Sequence, residues 1–115
     1  MKVSHIHYAS PADIKQSATS LRPQLILCFA PAELYAKLNL TEELGKHFPD
    51  ASIIGCSAAG TIRGTQVDNS RASLTLLHFE ETEVNIVSKT FNAKSDFHKT
   101  GTEIAHELRG LSLKH

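Results

Sequence analysis

The sequence predicts an α/β protein: a three-layer-like mixed sheet with a parallel β-α-β-α-β core, followed by an antiparallel hairpin and a C-terminal helix. Three observations lead there. Short apolar and β-branched runs at 24–30 and 51–54 have the length and composition of buried strands. The segments before them open with helix-start signals and close at a proline. Strands that alternate with helices in this way form a parallel sheet with crossover connections.

Each element has its own local cause. Val3, His5 and His7 alternate with Ser4, Ile6 and Tyr8, the period-2 pattern of a first strand. Ser10 then stands as an N-cap, with Pro11 at the first helical position and Asp13 at N3, so a helix is expected over about 11–20. Ile14, Ala18 and Leu21 form its buried stripe. Arg22-Pro23 ends it, because the residue before a proline is pushed out of the helical region. The run 24–30, which contains Cys28, is continuously apolar, as in a central strand covered on both faces. Residues 31–38 make a helical turn or two that stops near Asn39.

Thr41 caps a further helix over 42–47, with Glu42 and Glu43 in the first turn where they complement the dipole. Leu38, Leu44 and Phe48 are the buried positions here. Pro49-Asp50 breaks the helix and 51–54 enters the third strand. Residues 61–69 read as a polar excursion or a short strand around Ile62. The runs 72–79 and 84–90 then read as strands, joined by a four-residue link suited to an antiparallel hairpin. Ser95 or Asp96 begins a last helix to about Leu108, with Ile104, Leu108 and Leu111 as its apolar stripe and Gly110 as its stop.

Composition narrows the function. A chain of 115 residues suffices for one domain over 1–115 with a modest core. Lys+Arg and Asp+Glu are both 12, and no basic run is present, which excludes the phosphate-neutralising face of a nucleic-acid binder. The longest nearly apolar run, 25–32, is far short of the roughly 20 residues of a membrane-spanning helix. The first residues lack the apolar stretch of a secretory leader, so a cytoplasmic location is expected, with Cys28 and Cys56 as reduced thiols.

The third strand empties into small residues, and these are the candidate site. Gly55 and Gly60 permit positive φ and close approach to the backbone, while Cys56, Ser57 and Thr61 offer a thiol and two hydroxyls. Ligands gather outside the carboxyl ends of parallel strands, and backbone N–H groups in such a loop suit a small polar or anionic group. Gly55, Cys56, Ser57, Gly60 and Thr61 are therefore the candidate ligand-binding residues. A plain tight turn with Cys56 as apolar filler is the competing reading.

A cysteine-dependent hydrolase or transferase is the weaker alternative. The loop misses the Gly-x-Ser-x-Gly spacing by one residue and no clear helix follows it. Among seven histidines no spacing singles out a base, so no catalytic residue is assigned. His5 and His7 share one strand face, yet no third ligand stands at a suitable spacing, so no metal site is assigned either.

Residues 24–30, 48–62 (Phe-Pro-Asp-Ala-Ser-Ile-Ile-Gly-Cys-Ser-Ala-Ala-Gly-Thr-Ile) and 72–79 together resemble the N-terminal part of the FIST domain family, the middle segment most specifically. The resemblance implies a sensory input domain of bacterial signal transduction that binds a small molecule, with amino acids and their derivatives as proposed ligands. It also implies a C-terminal region or partner protein that receives the signal, the present chain corresponding to the first part of the longer N-terminal region. Some members are regarded as haem-based nitric oxide sensors, which implies haem, held by an axial histidine, as an alternative ligand. A ligand-free protein-interaction module, pairing through exposed sheet edges with a partner or a second copy, is the remaining alternative.

Overall fold

The computed structural model describes residues 1–17, 20–91 and 96–111, and the chain divides into two compact units, Met1–Val84 and Asn85–His115. In the first, strands β1 (Lys2–Tyr8), β2 (Leu25–Ala30), β3 (Ser52–Ser57) and β6 (Ala72–His78) form one sheet in the order β1-β6-β2-β3. β2 and β3 pair in parallel, whereas β6 runs antiparallel to both β1 and β2. β1, β2 and β3 therefore point the same way, as the β-α-β-α-β pattern requires, with β6 inserted between the first two.

Helices α1 (Pro11–Ser17), α2 (Ala32–Leu38) and α3 (Leu40–His47) fill the connections. Asp13 makes the start of α1: its carboxylate accepts from the Ala9 and Ser10 amides at 2.8 and 2.9 Å. Ala18, expected on the buried stripe of this helix, lies outside the described residues. Between α2 and α3 the chain turns at Asn39 (φ 43°), a left-handed conformation that asparagine tolerates better than most residues.

One sheet face makes the core. Ile6 and Tyr8 of β1, Leu74 and Leu76 of β6, and Ile26 and Cys28 of β2 cluster with Ile14 of α1, Leu40 and Leu44 of α3, and Phe48. β2 is internal to the sheet as expected, but full burial is confined to Ile26, Cys28 and Ala30, while Phe29 on its other face is 41% exposed.

Two expectations change. The third strand does not stop at Ile54: Gly55, Cys56 and Ser57 continue the ladder opposite Cys28, Phe29 and Ala30. Small side chains do not weaken that pairing because the bonds are made by backbone. The antiparallel hairpin is also displaced. It is built by β4 (Thr61–Arg63) and β5 (Gln66–Asp68), turning at Gly64 (φ 59°), and residues 84–90 form no strand. β6 has β1 on one edge and β2 on the other, so neither edge is left for 84–90 to pair with.

In the second unit, α4 (Phe97–Arg109) begins at Asp96, whose side chain accepts from the His98 and Lys99 amides at 3.0 and 3.2 Å. The alternative start, Ser95, lies outside the described residues. Phe91 meets Phe97 edge to face with centroids 5.1 Å apart, and Lys89 pairs with Glu107.

Candidate functional site

β1, β2 and β3 share a direction, so their carboxyl ends lie along one rim of the sheet. There Gly55, Cys56 and Ser57 are all exposed. At the two ends of the β2–β3 ladder, the Ser52 and Ala58 amides donate to the Gln24 and Ala30 carbonyls, each at 2.9 Å. Peptide groups alternate along a strand, so those of Ile53, Gly55 and Ser57 face outward. Among the described residues no strand pairs with that outer edge.

Gly55 is a glycine for a packing reason. A Cβ there would run into the Cys28 carbonyl and lie 2.6 Å from the Tyr35 hydroxyl. That hydroxyl donates to the Cys28 carbonyl at 2.8 Å, tying α2 to β2. Burial, then the contact with Cys28, pushes the Tyr35 hydroxyl pKa well above its usual range. Burial likewise raises the Cys28 thiol, against a smaller opposing hydrogen bond from Tyr35. Cys28 lies on the core face and Cys56 is exposed, so the two free thiols have opposite environments. Tyr35 was not legible as a site neighbour in the sequence, where it is one apolar position in a short helix.

The remaining two candidates sit apart from this trio. Gly60 is approached by Asn69 and Val67, which lets the β4–β5 hairpin fold against the loop. Thr61 is 4% exposed, and its hydroxyl lies 3.0 Å from the Asp68 carbonyl and 3.3 Å from that of Arg71, donating between them. Thus Gly55, Cys56 and Ser57 form the open rim, and Gly60 and Thr61 brace the hairpin beside it. Of the histidines on β1, His5 shares a 3.0 Å hydrogen bond with the Thr75 hydroxyl, and His7 Nδ1 is buried with no partner among the described residues.

The matching family profile is the FIST N domain, over residues 24–115. The chain belongs to the FIST N domain family. No curated protein and no solved structure matches it. The family is associated with sensory domains of signal-transduction proteins, and this FIST N domain contains, among its described residues, no helix long and apolar enough to cross a membrane. A cleft of about 340 Å³ lies at the opposite end of the sheet from the rim, at the small end of the range for ligand sites.

Proposed function

We propose that this FIST N domain is a cytoplasmic sensory module that binds a small, amino-acid-like molecule at the rim formed by Gly55, Cys56 and Ser57. The observation that carries the reading is the outward-facing edge of β3 at the carboxyl end of the sheet. Each outward residue of a parallel edge strand presents an N–H and a C=O side by side. A ligand carboxylate accepts from the Ser57 amide, and the ammonium group beside it donates to the neighbouring Gly55 carbonyl. In this reading Cys56 is contact surface, Gly60 and Thr61 support the rim by bracing the hairpin beside it, no residue is catalytic, and occupancy is passed to an attached or partner signalling module.

Isothermal titration of the full chain against the common amino acids tests this directly. Saturable heat should appear with at least one of them. It should vanish in Ser57→Pro, which removes one outward N–H at an edge position where proline is tolerated. Absence of heat with every amino acid, from chain that circular dichroism shows to be folded, would refute the reading.

A further inference from the structure

The α1–β2 and α3–β3 connections enter neighbouring parallel strands, Leu25 standing opposite Ser52, so they run side by side at the amino ends of the sheet. The cleft lies between them. Its floor is apolar, with Pro23 and Phe48 buried and Leu21 half-buried, and its polar side chains are the Ser20 hydroxyl and the ionisable trio Arg22, His47 and Asp50. None of these three side chains makes a hydrogen bond or ion pair with the described residues, although the backbone that carries them is well held. The Arg22 carbonyl is 2.6 Å from His78 Nδ1, the Phe48 amide donates to the Leu44 carbonyl at 2.8 Å, and the Ala51 amide to the Phe48 carbonyl at 3.1 Å. Prolines 23 and 49 stiffen both walls.

From this geometry we infer that the cleft is a second binding site, for a small carboxylate with an apolar body. The guanidinium of Arg22 matches a carboxylate bidentately, and with no partner among the described residues that fork faces the cleft unpaired by them. His47, in the last turn of α3, adds a ring N–H as a second donor. The apolar body rests on Pro23 and Phe48. Asp50 opposes an anion placed beside it, so it confines the carboxylate to the Arg22 side and can accept from an amino group where the ligand has one. This site does not depend on the rim, which lies at the other end of the same strands.

The experiment is a titration of the isotopically labelled full chain with sodium 4-methylpentanoate, followed by amide chemical shifts. Saturable shifts are expected at Arg22, Phe48, Asp50 and Ala51. The neutral analogue 4-methylpentan-1-ol should bind at least about tenfold more weakly, as should Arg22→Gln, because each removes a charge-assisted pair. Arg22→Lys, which keeps the charge without the fork, should fall between. Leucine in place of the acid reads whether Asp50 accepts from an ammonium: tighter binding that Asp50→Asn abolishes supports the assignment of both charges. Equal affinity for acid and alcohol, unchanged affinity in a folded Arg22→Gln chain, absence of saturable shifts, or shifts confined to 56–58 would each overturn it. Since the readout is at the amino ends of the strands, failure of the rim to bind amino acids leaves this result independently readable.

Discussion

Gly55→Ala is the sharpest test of how the rim is built. The added methyl would overlap the Cys28 carbonyl and lie 2.6 Å from the Tyr35 hydroxyl oxygen. The first obstacle is backbone of an internal strand and cannot rotate away, so β2 and β3 must separate locally. Overpacking of this kind costs about 1–3 kcal/mol, and displacing Tyr35 from Cys28 adds about 0.5–1.5 kcal/mol for the lost hydrogen bond. A total of about 1.5–4.5 kcal/mol is a large part of the roughly 5–15 kcal/mol that holds a domain of this size together. In a urea titration with a slope of about 2 kcal/mol/M, the midpoint should fall by about 0.8–2.2 M.

Two companion variants separate the causes. Tyr35→Phe alone should cost only the hydrogen bond, and combining it with Gly55→Ala should leave most of the loss in place, because the backbone obstacle remains. Gly60→Ala meets side-chain atoms of Asn69 and Val67, which can rotate, and should cost only about 1 kcal/mol. A Gly55→Ala midpoint within about 0.3 M of wild type would refute the packing argument. Full rescue by Tyr35→Phe would show that the side chain alone was in the way.

Thr61→Val should lower stability by about 1–3 kcal/mol in the same titration, since a buried methyl replaces the donor to the Asp68 and Arg71 carbonyls. Asp13 is held below the usual carboxylate range, first by the Ala9 amide and then by that of Ser10. Its contribution should therefore be complete above the unfolded-state pKa near 4 and be lost as pH falls through the lower folded value, so wild type should shed more stability than Asp13→Asn on acidification below pH 4. A thiol reagent should modify Cys56 rapidly in the folded chain and Cys28 only after unfolding, because burial both shields the Cys28 sulfur and raises its pKa; two fast equivalents would contradict the placement of Cys28.

Much of the fold was legible where the signal is local. Ser10, Pro11 and Asp13 announced the start of α1, the prolines at 23 and 49 marked the entries to β2 and β3, and the apolar run of β2 gave an internal strand. What the chain does not display is strand order. The pairing of β6 with β1 and β2 joins residues from 44 (Phe29 and Ser73) to 76 (Lys2 and His78) positions apart, and side-chain alternation reports which face of a strand is buried, never which neighbour occupies its edge. For the same reason 84–90, whose alternation suits a strand as well as that of 72–79, could not be seen to lack a free edge beside β6.

Less of the candidate site's surroundings was legible, and the reason follows from what glycine encodes. A glycine states that something comes close to the backbone, without naming it. At Gly55 the close neighbours are the Cys28 carbonyl and the Tyr35 hydroxyl, and at Gly60 they are Asn69 and Val67, all from this chain, so neither glycine need be reserved for a guest. With the Thr61 hydroxyl engaged by the hairpin, the groups that stay open at the rim are the Cys56 thiol, the Ser57 hydroxyl and the outward peptide groups of β3. On the proposed reading, recognition there rests mainly on main-chain hydrogen bonds. Such bonds read a carboxylate and an ammonium group with little regard for the side chain between them, so a ligand panel at this rim should rank amino acids by backbone chemistry first, with N-acetylation or amidation weakening binding more than a change of side chain.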